Sequence, residues 1–154
     1  MGDNLQNFSF KGEFQYALDA KGRMSLPLKL RKNVDLNTDR IFIITRGMDG
    51  ALLLYPNKTW KMIEEKLSEY SYIGSPDNRS FIRTFLSWAN ELELDNQFRL
   101  NIPQRHLEFA GIKNEILILG LMDKIELWNP STFSDYQKKA GADYEAVAGK
   151  IIGL

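Results

Sequence analysis

The chain has 154 residues, enough for one ordinary domain or two small ones, and 44% of them are apolar, which suffices for a packed core and argues against wholesale disorder. Twenty basic residues balance twenty acidic ones, so net charge points to no partner and excludes none. There is no cysteine and a single histidine, His106, which removes disulfides, thiolate chemistry and cysteine- or histidine-built metal centres. No apolar run approaches the ~20 residues that span a bilayer. The start, MGDNLQNFSF, lacks the basic and apolar regions of a secretory signal, so a cytoplasmic location is expected.

In chain order, residues 1–10 read as a tail. The segment EFQYALD alternates Phe14, Tyr16 and Leu18 against Glu13, Gln15 and Ala17, the period of a half-buried strand. A tight turn leads to RMSLP, and Pro27 opens a short basic helix, since its missing N–H is not needed there. RIFIITR and ALLLYP are strands joined by GMDG, with Asp49-Gly50 in the hairpin position. From Pro56, Trp60, Ile63 and Leu67 recur at helical spacing. Ser75 caps a connecting helix carrying Phe81, Phe85 and Trp88 on one face. NELELD and RLNIP are strands again, and Pro103 starts a helix that Gly111 ends. EILILGL and KIELWNP flank MDK, and Pro130 opens the last helix.

The second half repeats the first. Leu18-Asp19, Arg23 and Leu26-Pro27 match Leu94-Asp95, Arg99 and Ile102-Pro103, 76 positions later. Met48-Asp49 matches Met122-Asp123, and Pro56 matches Pro130, 74 positions later. The predicted organisation is a first repeat over 11–70, a connecting helix over 71–88, a second repeat over 89–140, and tails at 1–10 and 141–154.

The repeated turn has a physical purpose. Gly22 supplies a positive φ. Asp19 accepts hydrogen bonds from turn N–H groups and orients the Arg23 guanidinium by a charge-assisted contact. An arginine fixed in this way suits bidentate recognition of phosphate or of a guanine edge. Between Lys11 and Lys32 there are six basic residues against two acidic ones, so the neutral total hides a positive segment. On its own, a D-x-x-G-R run is more often a structural hairpin. Here the aspartate and arginine return in the second copy while Gly22 becomes Phe98, the reverse of what turn geometry alone would retain.

DAKGRMSLP, TRGMDGALLLYP with the following Trp60, ELELDNQFRLNIP and ILGLMDKIELW together resemble the MraZ family of bacterial transcriptional regulators, over about residues 10 to 140. The resemblance implies an α+β, mainly β fold: two AbrB-like swapped-hairpin units forming a double-psi, pseudo-dimeric β-barrel with flanking helices. It implies a cytoplasmic, nucleoid-associated, sequence-specific DNA-binding regulator that represses or otherwise tunes its targets, with no catalysis and no cofactor expected. The implied partner is double-stranded DNA, at short direct repeats upstream of the division and cell-wall gene cluster, bound by a homo-oligomeric ring of eight or more subunits. The family's D-x-x-x-R motif falls on Asp19 and Arg23 and on Asp95 and Arg99. Lys21 and Gln97, inside the motif, are added as DNA-contacting candidates from turn geometry. Phe98 in place of glycine predicts an altered second turn, and with Arg99, Arg105 and Lys113 set against four acidic residues the second copy is expected to contribute less.

Two other classes compete. For an enzyme the sequence offers Glu64-Glu65, which point to different sides of a helix, and Glu91 and Glu93 on an outward strand face; His106, beside Arg105, reads as a surface or interface residue. An oligomeric protein-interaction module without DNA binding fits the aromatic helix faces and would leave Arg23 dispensable. An RNA partner ranks lower, because neither hairpin displays the aromatic pairs that stack bases.

Overall fold

The computed structural model describes residues 8–70, 73–140 and 143–153; the remainder of the expected 1–10 tail and parts of the expected connector and C-terminal tail lie outside these residues. The chain is α+β, with antiparallel pairing throughout. Copy one contributes β1 (Phe10–Ala17), β2 (Arg23–Ser25), α1 (Leu28–Arg31), β3 (Ile41–Arg46), β4 (Leu52–Pro56) and α2 (Asn57–Ser68). After α3 (Pro76–Ser87), copy two contributes β5 (Asn90–Glu93), β6 (Arg99–Asn101), α4 (Gln104–Ala110), β7 (Glu115–Met122), β8 (Lys124–Trp128) and α5 (Pro130–Ala140), and α6 (Tyr144–Ile152) follows.

The local signals act where the sequence places them. Asp49 and Gly50 both take positive φ, 61° and 87°, as a tight hairpin between β3 and β4 requires. The Ser75 hydroxyl accepts from the Asn78 N–H at the start of α3. Gly111 ends α4 in the left-handed conformation at φ 66°.

Strand pairing exchanges the copies. The hairpins β3–β4 and β7–β8 join through β4 and β8 at the centre of a six-stranded sheet ordered β1-β7-β8-β4-β3-β5. The first strand of each copy lies on the hairpin of the other, β1 on β7 and β5 on β3. The second strands, β2 and β6, pair with each other in a separate ribbon.

The expected closed barrel is not what forms among the described residues. The sheet keeps two edges, β1 and β5. The ribbon strands have three residues each, so they close the core by side-chain packing instead of by a continuous ladder. Met24 and Leu100 face each other across the ribbon, fully buried, and join Leu26, Ile102, Phe42, Ile44, Leu52, Leu54, Ile116 and Ile118 in one cluster. A second cluster sets Trp60 of α2 and Phe85 of α3 on the other face of β3 and β4, their rings stacked at 5.4 Å.

The half-buried alternation expected of the first strand holds only in part. Phe10 is buried and Phe14 half-buried, but Tyr16 is 36% exposed, because β1 lies at the sheet edge with a neighbour on one side only.

Candidate nucleic-acid interface

The two D-x-x-x-R turns have the same backbone. In the first, the Asp19 and Arg23 main chains bond (Asp19 N–H to Arg23 O, 3.2 Å) and Gly22 N–H donates to Asp19 O. Asp19 Oδ1 accepts from the Lys21 and Arg23 N–H groups, each at 2.9 Å. Its other oxygen, Oδ2, accepts from Arg23 Nε at 2.6 Å. In the second turn, Asp95 N–H donates to Arg99 O and Phe98 N–H to Asp95 O. Asp95 Oδ1 accepts from the Gln97 and Arg99 N–H groups, and Oδ2 accepts from Arg99 Nε at 2.9 Å. One carboxylate thus closes each turn and fixes the arginine stem at the same time.

The expectation that Phe98 alters the second turn is therefore corrected. Phe98 adopts φ 59° where Gly22 adopts 77°. For a residue with a Cβ this costs on the order of 1 kcal/mol. The turn keeps its bond to the other copy, and a ring contact peculiar to Phe98 offsets the cost. The Phe98 carbonyl accepts from Leu26 N–H at 2.9 Å, as the Gly22 carbonyl accepts from Ile102 N–H at 3.2 Å. The Arg31 guanidinium also lies 4.7 Å above the Phe98 ring centre.

Pairing of β2 with β6 brings the turns together. Arg23 is opposite Asn101 and Ser25 opposite Arg99. With Met24 and Leu100 turned inward, strand alternation puts both arginines on the outer face of the ribbon. They are close enough to share a partner: Arg99 Nη1 lies 3.7 Å from Asp19 Oδ2. The side chains of Arg23 and Arg99 are 28% and 24% exposed, so each guanidinium is braced along its stem yet open to solvent.

The carboxylates are tuned to stay ionised. The hydrogen bond from the Arg23 backbone is the largest cause, and with those from the Arg23 side chain and the Lys21 backbone it outweighs the opposing effect of desolvation and lowers the Asp19 pKa to about 2. Asp95 is lowered by the equivalent bonds from Arg99. At neutral pH both turns hold a full ionic lock.

Lys21 and Gln97 sit exposed at the turn tips, with no side-chain partner among the described residues. Of the other cations in the positive segment, Lys29 and Lys32 of the α1 region are exposed and Arg31 is half-buried, whereas Lys11 belongs to the edge strand β1.

One contributor was not visible as a motif residue, and one motif residue has a further role. Arg40 reaches from the entry to β3 and donates from Nη2 to the Leu94 and Asp95 carbonyls at 3.0 and 2.8 Å, and from Nη1 to the Leu36 carbonyl. It braces the approach to the second turn. Asp19, expected to serve only its own arginine, also faces Arg99 across the ribbon.

His106, expected at a surface or interface, is fully buried. Its Nε2 donates to the Trp88 carbonyl at 2.7 Å, its ring meets Trp88 edge-on, and Nδ1 has no partner among the described residues. Leu30 fills the matching place in copy one, also buried, which makes this a core position occupied in copy two by an imidazole.

Comparison with known proteins agrees with the doubled architecture. The sequence matches the family described as "MraZ protein, putative antitoxin-like" twice, over residues 9–81 and 85–151. The chain belongs to the MraZ family. Relatives named Transcriptional regulator MraZ span nearly the whole chain. That of Natranaerobius thermophilus is 37% identical over 143 residues, covering 93% of this chain and 96% of its own. Those of Syntrophomonas wolfei and Clostridium beijerinckii are 37% and 39% identical over 145 residues, each covering 94% of this chain and 98% of its own. Among the described residues, no helix is long and apolar enough to cross a membrane, and no group of three His, Cys, Asp or Glu is placed to hold a metal ion.

Proposed function

We propose that this MraZ-family chain is a transcriptional regulator that binds double-stranded DNA through its two D-x-x-x-R turns. The observation that carries this is the side-by-side placement of Arg23 and Arg99, each anchored at Nε by the aspartate four residues before it. An arginine anchored at Nε keeps its terminal amino groups for a second partner, and its conformational freedom is already spent before binding. Phosphate oxygens or a guanine edge match that fork. Lys21 and Gln97 at the turn tips are proposed to extend the contact, as a cation and an amide. The names of the relatives support regulation of transcription as the role of this contact.

The finer features follow the same proposal. The exchange of first strands between copies supports two AbrB-like swapped-hairpin units in one chain, with repeats over 11–70 and 89–140 joined through 71–88. A cytoplasmic, nucleoid-associated ring of subunits would present consecutive turn pairs to short direct repeats upstream of the division and cell-wall gene cluster, so that weak contacts combine through effective concentration. Exposed apolar residues of α6, Tyr144, Ile151 and Ile152, support self-association. The same residues favour the second reading, a protein-interaction module without DNA binding.

Selection of bound fragments from sheared genomic DNA by the purified protein tests the proposal. Recovery of short tandem repeats by the parent, and loss of that recovery in Arg23→Ala with the oligomer intact, is the expected result. Recovery unaltered by Arg23→Ala would refute the role of the turns. Failure of the parent to enrich any fragment would leave the interaction module as the function.

A further inference from the structure

We propose that Arg31 is a third phosphate-contacting cation of this surface, and that Phe98 is its platform. The inference rests on the DNA-binding function proposed above and extends it to residues outside the repeated motif.

The geometry forms a closed circuit. Leu26 N–H donates to the Phe98 carbonyl at 2.9 Å, Arg31 Nε donates to the Leu26 carbonyl at 2.9 Å, and the Arg31 guanidinium returns to lie 4.7 Å above the Phe98 ring. Arg31 is thus anchored at Nε and along one guanidinium face, and its terminal amino groups have no partner among the described residues. That is the condition of Arg23, except that a carbonyl and an aromatic ring replace the aspartate. Leu26 follows directly on β2, whose Ser25 is paired with Arg99, so the circuit stands beside the two motif arginines.

Comparison of the copies isolates the pair. The residue matching Arg31 in copy two is Leu107, and the residue matching Phe98 in copy one is Gly22. A Cβ placed on Gly22 would lie 3.4 Å from Leu107 Cδ1, so these two also adjoin. Each turn therefore rests against the helix of the other copy. One junction is glycine against leucine; the other is phenylalanine against arginine. A glycine at position 98 would fit the turn with less strain. Phenylalanine there makes sense as a surface on which a guanidinium is laid flat. The second turn, whose own surroundings are less basic, gains a cation from copy one.

The measurement is the affinity for a fluorescently labelled mixed-sequence duplex, taken over a series of salt concentrations with the full-length protein. Arg31→Ala is expected to weaken binding about tenfold and to lower the slope of log affinity against log salt by about 0.9 for each engaged subunit. Phe98→Gly keeps the charge, so it should keep the slope while losing affinity. Arg31→Lys, which guards against a folding defect in the alanine variant, should restore the slope but not the full affinity. Parental affinity and slope in Arg31→Ala, with Arg23→Ala weakened, would overturn the role of Arg31 and leave the motif turns in place. Parental binding in Arg23→Ala and Arg31→Ala alike would overturn both.

Discussion

His106 allows a sharp test of how the core of copy two is built. Copy one places Leu30 at the matching position, so the perturbation is His106→Leu. The substitution removes the bond from Nε2–H to the Trp88 carbonyl, a loss of about 1 kcal/mol, and leaves that carbonyl wanting a donor. It also removes a buried, unpartnered Nδ1, whose desolvation is unfavourable by about 1–3 kcal/mol. The two nearly cancel, so stability at pH 7.5 should change by no more than about 1 kcal/mol. Acid separates the proteins. Burial, with a smaller contribution from Arg105, lowers the His106 pKa from its ordinary 6.5. The unfolded chain then takes up the proton first. Stability is fully present above pH 6.5 and falls as pH drops below it, at no more than about 1.4 kcal/mol per pH unit. No other histidine shares that window. Urea denaturation at pH 7.5 and pH 5, followed by tryptophan fluorescence, should show a lower midpoint for the parent at pH 5 and a much flatter response in His106→Leu. An equal acid loss in both proteins would refute the assignment of this proton to His106.

Two further perturbations act elsewhere. Gly120→Ala would place a Cβ against Lys11 N, and 2.8 Å from both Lys11 Cα and the Phe10 carbonyl carbon, where β1 crosses β7 at the Gly12–Gly120 pair; a cost of about 1–3 kcal/mol and faster amide exchange over residues 10–13 are expected, and unaltered protection would count against the close approach. Asp19→Asn should weaken DNA binding more than Asp95→Asn, because Asp19 faces Arg23 and Arg99 while Asp95 holds Arg99 alone; equal effects in a fluorescence titration would argue against the shared carboxylate. Since the Asp19 pKa is lowered to about 2, its stabilisation is present above its ordinary 3.8 and lost as pH falls towards 2, so the same variant should show a smaller drop in urea midpoint between pH 5 and pH 2.5.

How far the sequence led depends on the range of each interaction. The turns were legible because their chemistry is local: Asp19 with Arg23, Asp49 with Gly50, Ser75 with Asn78 and the helix end at Gly111 all lie within four residues of what they control. The doubled organisation was legible because it is a matter of spacing. Strand partners were not, since a period of two reports which face a residue takes and nothing about its neighbour. Phe10 pairs with Met122 and Ser25 with Arg99, each from one copy to the other, and only these pairings make β1 an exposed edge and put the two arginines together. The burial of His106 had one available signal, the leucine that stands 76 positions earlier, but a lone histidine beside an arginine reads as polar surface until the copies are superposed.

The exchange of strands has a consequence for how such a site can vary. Each turn takes one hydrogen bond from the other copy, Ile102 N–H to Gly22 and Leu26 N–H to Phe98, and each rests on the other copy's helix. A substitution at Gly22 or Phe98 is therefore felt in the other copy as well as in its own. Had the two units folded side by side, Phe98 at φ 59° would have needed support from within copy two, where Leu107 occupies the place of Arg31. Because the junctions cross, the strain in the second turn is relieved by a residue of the first copy's helix, and the D-x-x-x-R geometry survives the loss of its glycine intact. The two halves can thus diverge in sequence around an unchanged pair of arginines, provided that the residues at each crossed junction change together.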